Sequence, residues 1–146
     1  MDWIDNYIYG LLDLYNTNDI YELFDNLGIK IIRLEASNIL LRNNDAFYHR
    51  HYLGNEIVFI RNDLNLDFEK FVLAHELGHG IIHTHIYTAA FNKSLINVGK
   101  LEKQANYFAF KLLNINLDSI DFEGFTIDQV ACSLNLPVSY LNQLVY

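Results

Sequence analysis

Apolar residues recur at helical spacing towards both ends of the chain and alternate with polar ones in between. Ile4, Ile8, Leu11 and Tyr15 predict one short helix, and Ile20, Leu23, Phe24 and Leu27 predict a second that Gly28 closes. The stretch from Ile29 to Leu34 is rich in β-branched residues and reads as a strand. Phe47, His49, His51 and Leu53 then alternate with Tyr48, Arg50 and Tyr52 as far as Gly54-Asn55, after which Ile57-Val58-Phe59-Ile60 follows. That pattern predicts a hairpin in a small antiparallel sheet.

From Asp67 the period turns helical again, with Phe68, Val72, His75, His79, Ile82 and Ile86 on one stripe and Leu73, Leu77 and Ile81 on another. Such a helix is apolar on most sides and belongs in a core. Another helix fits Leu101 to Leu113, and Thr126-Ile127-Asp128-Gln129 has the capping-box spacing that starts one more. Helices, then a sheet, then helices make the expected fold class α+β, a small antiparallel sheet packed with helices.

Composition narrows the function classes. The chain has 146 residues, half of them hydrophobic, enough for one domain with a real core. A net charge of -8 disfavours a direct grip on nucleic acid or on an anionic membrane. All the charged residues before Gly28 and after Lys111 are acidic, so the basic residues gather in the middle. No apolar run reaches the ~20 residues that span a bilayer, and the start lacks the positive region of a signal peptide. A cytoplasmic protein is expected. The lone Cys132 cannot form an internal disulfide, and its apolar neighbours make it read as a small core residue.

The central helix carries His75-Glu76-Leu77-Gly78-His79, an HExxH motif. Residues four apart on a helix lie about 40° apart around the axis and about 6 Å along it, so both imidazoles can reach one tetrahedral ion. Glu76 projects roughly 100° away from His75, beside such an ion, where its carboxylate can take a proton from an activated water. Given the histidine and glutamate content, chance supplies this motif roughly 0.01 times per chain of this length. The competing reading, two histidines hydrogen-bonded within a core, leaves imidazoles on an inward face where unpartnered polar groups are costly.

A catalytic zinc site needs a third protein ligand. His85 stands where a metzincin places its third histidine, but Ile82 replaces the glycine that breaks the helix there, and the only methionine is Met1, so no Met-turn exists. His83 lies one turn beyond His79 but about 12 Å along the axis from His75, which fits a core or supporting role. Glu102 is the remaining candidate. It shares a helix face with Ala105, Asn106 and Ala109, and the two alanines allow close packing against the histidine helix. His75, His79 and Glu102 would then form a gluzincin-like set, with Asn106 placed to orient a ligand imidazole. The alternative is a solvated surface glutamate.

The segments Phe71-Val72-Leu73-Ala74-His75-Glu76-Leu77-Gly78-His79 and Glu102-Lys103-Gln104-Ala105-Asn106-Tyr107-Phe108-Ala109 resemble the ImmA/IrrE family of metallo-endopeptidases. The likeness is close from about Phe68 to Leu113. It implies a zinc (Zn2+) peptidase, found in bacteria, phages and mobile elements, that cleaves or inactivates a helix-turn-helix repressor. By that resemblance His75, His79 and Glu102 are the metal ligands and Glu76 is the general base and acid. A strand such as Glu56 to Ile60 is expected to hold substrate by β-augmentation. His83, Tyr87 and Tyr107 are the candidate transition-state donors.

One peptidase domain over residues 1–146 is expected, with no attached repressor or sensory domain. The tail from Phe125 to Tyr146 reads as helix, turn, helix, but it has no Lys or Arg to meet phosphate, so a packed cap or a docking surface for the repressor fits better than a DNA reader. The alternative to a peptidase is a zinc-stabilised antirepressor that binds its partner without cutting it. A peptidase of small peptides, without a dedicated repressor, is a third possibility.

Overall fold

In the computed structural model, which describes residues 1–86, 88–91 and 99–145, the described residues form six α-helices and a four-stranded sheet. Helix α1 (Asp2–Tyr15) buries Ile4, Ile8 and Leu11, the face its periodicity marks. Helix α2 (Ile20–Leu27) starts where the Asp19 carboxylate accepts hydrogen bonds from the amides of Tyr21 and Glu22. It stops at Gly28, which takes the left-handed conformation (φ 73°) that a residue with a Cβ adopts at a cost.

Strands β1 (Ile29–Leu34), β2 (Ala46–Tyr52), β3 (Asn55–Arg61) and β4 (Thr88–Phe91) lie in the order β1-β3-β2-β4. The β2–β3 hairpin is as expected, closing through Leu53 and Gly54, both with positive φ (51° and 79°), as a two-residue primed turn requires. The sheet is mixed, however, because β1 runs parallel to β3, with Ile29 opposite Glu56 and Leu34 opposite Arg61. The chain returns through a 3-10 turn (Ile39–Leu41) and β2 before forming β3, and that crossover makes the parallel pair. An ion pair holds β1 in place: Arg33 Nη2 lies 2.7 Å from Oε1 of Glu69, which also accepts from the Tyr21 hydroxyl at 2.9 Å. It ties α2 and β1 to helix α3 (Leu66–Ile82).

The two faces of the sheet are buried differently. Tyr48, Val58 and Ile60 pack on the helices, while Phe47, Ile57 and Phe59 pack with Leu41 of the 3-10 turn on the other side. Helix α3 begins at Asn65, whose side chain accepts from the Phe68 amide, and every residue from Phe71 to His79 is buried, as its apolar surroundings predict. It ends at Ile82, short of the turn that a stripe running to Ile86 implies. Arg50 of β2 accounts for the stop. Its guanidinium donates to the carbonyls of His79, Gly80, His83 and Ile86, and at Gly80 it takes the acceptor that the next amide of a continuing helix would have used.

Helix α4 (Lys100–Leu112) packs against α3 with Ala105 and Ala109 fully buried, as the small residues on its face anticipate. Gly78 makes the approach closest: a Cβ there would stand 3.1 Å from the Phe108 ring. Helix α5 (Ile127–Leu134) carries the complete Thr126/Gln129 capping box, and α6 (Val138–Val145) follows after Asn135-Leu136-Pro137. The tail thus packs on the core through Tyr140 and Leu141, as the first of its two expected roles requires. Tyr140 is buried with its ring 4.7 Å from Phe71 and 5.2 Å from Phe91, contacts worth about 0.5–1.5 kcal/mol each beyond area burial. Cys132 is exposed on α5, contrary to its reading as a core residue, because Ala131 supplies that helix's inward contact. No helix among the described residues is long and apolar enough to cross a membrane.

Candidate metal centre

His75 and His79 sit one turn apart on α3, and α4 brings Glu102 up to both. His75 Nε2 lies 3.1 Å from Glu102 Oε2, His79 Nε2 lies 2.9 Å from Glu102 Oε1, and the two Nε2 atoms are 3.2 Å apart. Ligands at zinc distances of about 2.0–2.1 Å in a tetrahedron are separated by about 3.3 Å, and one donor atom from each of the three residues falls within 4.8 Å of the others, close enough to converge on a single ion. The donors are of the His/His/carboxylate kind that leaves a fourth position open. Only Glu102 of the three is partly exposed, which puts the open side of the cluster at its carboxylate.

The imidazoles are aimed from behind. His75 Nδ1 lies 2.6 Å from Asn106 Oδ1, and because an amide oxygen only accepts, Asn106 holds a proton on Nδ1 and turns Nε2 to the cluster, where an ion could take its lone pair. The Tyr140 hydroxyl donates to the same oxygen, so the cap helix α6 reinforces the amide's orientation. His79 Nδ1 lies 2.9 Å from His83 Nδ1, and His83 Nε2 lies 2.9 Å from Gln104 Oε1. The supporting role of Asn106 is legible from its helical spacing to Glu102. Those of Gln104 and Tyr140 are not, since their spacing to the motif signals nothing.

Electrostatics separate the two carboxylates. Burial works to raise the Glu102 pKa, but the hydrogen bonds with His75 and His79 outweigh it and hold this carboxyl well below the usual carboxylate range. Burial raises the Glu76 pKa well above its ordinary value, and the neighbouring Glu102 charge adds to that. Glu76 is fully buried, and neither of its carboxylate oxygens has a hydrogen-bond partner among the described residues. An unpartnered buried carboxylate costs several kcal/mol where nothing compensates it, on the order of what breaking a buried ion pair costs. A cation beside it would compensate, so the residues present fit a metal ion. Burial also lowers the pKa of His79 and His83, keeping both neutral, the form in which an imidazole can be a ligand.

The remaining sequence candidates lie elsewhere. The Tyr107 hydroxyl donates to Asp5 at 2.9 Å, on the α1 side of α4 and away from the cluster, so it is no transition-state donor. Both ring nitrogens of His83 are engaged by His79 and Gln104, which places it behind the donors rather than beside a substrate. Tyr87 lies outside the described residues. His85 is beyond the end of α3, with its ring 6.2 Å from that of His83, and is not part of the donor set. The segment Glu56 to Ile60 cannot add a substrate strand, since β3 is flanked by β1 and β2.

This fold and this pair of carboxylates with two histidines define a metallopeptidase, a class that comparison with known proteins supports. Residues 24–117 match the IrrE N-terminal-like domain family, and the chain belongs to that ImmA/IrrE family. It is 32% identical over 141 residues to the metallopeptidase ImmA of Bacillus subtilis (strain 168), covering 92% of this chain and 79% of that protein. It is 29% identical over 130 residues to the uncharacterized immunity region protein 2 of Bacillus phage phi105, covering 87% of this chain and 79% of the relative. No solved structure gives a significant match.

Proposed function

We propose that this protein is a zinc-dependent endopeptidase that cleaves a helix-turn-helix transcriptional repressor in the cytoplasm, relieving repression in a phage or mobile element. His75, His79 and Glu102 hold the ion in this reading, and Glu76 is the general base and acid. The observation that carries it is Glu76 itself, buried and unpartnered next to three converging donors. A protein that only sequestered its partner would have no use for that carboxylate. One hydrophobic cluster includes Ile4 of α1 and Leu141 of α6, which supports residues 1–146 acting as one peptidase domain. The repressor as substrate rests on the resemblance and on the phage relative, whose name places it in an immunity region.

Zinc bound at this site supplies a Lewis acid that activates water and polarises the scissile carbonyl. Glu76, free of protein partners, accepts the proton of the attacking water and delivers it to the leaving amine. Asn106 keeps His75 oriented throughout. Substrate enters along β4, the sheet edge beside the site. Phe91 of that strand lies 5.0 Å from the His75 ring, and its far side pairs with no other strand among the described residues.

The test is co-expression with a helix-turn-helix repressor encoded beside the gene, comparing wild type with Glu76→Gln by intact mass of the repressor and by a reporter. Fragments formed only by wild type are expected, at a rate about 100-fold or more above the variant, the typical contribution of a general base. Derepression by both proteins with the repressor left whole would instead make this a binding antirepressor on a peptidase scaffold.

A further inference from the structure

The two candidate ligand histidines are supported in different ways. His75 meets an amide oxygen directly, through Asn106. His79 has no such partner, and its Nδ1 meets another imidazole, His83 Nδ1, at 2.9 Å. A hydrogen bond between two neutral imidazoles has no fixed direction of its own, because either nitrogen can carry the proton. If His83 donated, His79 would accept at Nδ1 and carry its proton on Nε2, the atom that faces Glu102 and His75. That tautomer cannot ligate a metal.

The far side of His83 decides between the two. Its Nε2 lies 2.9 Å from Gln104 Oε1, and a carbonyl oxygen offers no proton, so His83 must carry its proton on Nε2. A neutral imidazole then has a bare Nδ1, which can only accept, and His79 is obliged to donate from its own Nδ1. We propose that Gln104, through His83, holds a proton on His79 Nδ1 and so leaves His79 Nε2 as the nitrogen that can give its lone pair to an ion. The proposal deepens the reading of His79 as a metal ligand and rests on it.

Local structure makes the relay available. His83 has left the helical backbone (φ -118°, ψ 58°) as the cap residue of α3, while its amide still donates to the His79 carbonyl. The same two residues are thus joined by backbone and by side chain. His83 is 2% exposed and Gln104 9%, so water has little opportunity to replace either partner. An amide at position 104 also keeps the relay neutral. Glu102 and Gln104, both on α4, would therefore supply a ligand and the orientation of another ligand.

Gln104 and His83 are positioning residues here, and the test reads position as well as activity. Nitrogen-15 NMR of the imidazoles in metal-free wild type should show His83 protonated at Nε2 alone and His79 carrying a proton at Nδ1, the nitrogen that faces His83, whatever the state of the Nε2 that faces Glu102. Zinc affinity, measured by competition with a chromogenic chelator, should fall about 10–100-fold in Gln104→Met, the usual cost of losing an outer partner of a ligand histidine. Gln104→Glu keeps an acceptor of the same length and should recover affinity to within a few-fold. A Gln104→Met protein that binds zinc within twofold of wild type overturns the relay. So does a wild-type spectrum with His83 protonated at Nδ1, which decides the matter even if the variant fails to fold. Failure of the underlying reading looks different: His79→Ala would then bind zinc as wild type does, whatever the tautomer of His83.

Discussion

Nδ1 of His75 donates to Oδ1 of Asn106 at 2.6 Å, so a candidate metal ligand on one helix is steered by the next helix. Asn106→Ala removes that acceptor and also strands the Tyr140 hydroxyl. Zinc affinity should fall about 10–100-fold, whereas Tyr140→Phe, which leaves the acceptor in place, should cost much less. Competition titrations on the two variants side by side check the order. Equal losses would show that α6, not Asn106, holds the imidazole.

The donor cluster implies a strong link between metal and stability. Removing metal leaves Glu76 buried and uncompensated, so chelation should lower the melting temperature. Adding back zinc to 100 times its dissociation constant should restore about 2.7 kcal/mol. In Glu102→Ala the zinc-dependent shift should be largely lost. Thermal unfolding with and without chelator measures both, and an unchanged zinc shift in that variant would remove Glu102 from the ligand set.

Gly78 to Ala is a change that helix propensity alone favours by about 1 kcal/mol. The added methyl would meet the Phe108 side chain at 3.1–3.2 Å, and Phe108 is fully buried. Overpacking of this kind costs about 1–3 kcal/mol, so the net effect expected is destabilisation. Denaturant unfolding of the metal-free protein gives the sign directly.

Arg50 closes the C-terminal end of α3 by donating to four of its last carbonyls or those just beyond. Arg50→Ala should cost about 1.5–3 kcal/mol, the range for hydrogen bonds from a charged donor. Arg50→Lys should recover only part of it, since an ammonium lacks the planar fork that reaches several carbonyls at once. Hydrogen exchange should quicken first at the amides of Ile82 and His83. Uniform exchange in the variant would mean that the helix end is held by something else.

Much of the site could be read from residues because its logic is local. The spacing of His75 to His79 fixes their common face whatever surrounds them, and the Glu102, Ala105, Asn106, Ala109 face marks a helix that packs closely. The expected end of α2 at Gly28 also follows from local capping. What could not be read depends on distant chain. The parallel pairing of β1 with β3, and with it the interior position of β3, is a choice of strand order to which side-chain alternation is blind. The stop at Ile82 depends on Arg50 arriving from β2. Tyr107 lies on a helix that passes the site, yet its hydroxyl is drawn away by Asp5 from α1. Gln104 has no motif to mark it, since its role exists only once the end of α3 has been placed beside α4.

The donors come from two helices that the chain joins through a long connection, and this gives a bound ion a second consequence. An ion shared by His79 and Glu102 ties residues 79 and 102 together, closing everything between them into a ring. A covalent cross-link over a loop of that order removes about 3–4 kcal/mol worth of freedom from the unfolded chain. With a single, exposed cysteine the protein has no internal disulfide to do this. Its metal would act as a reversible staple, one that a change in metal supply could open without touching a covalent bond.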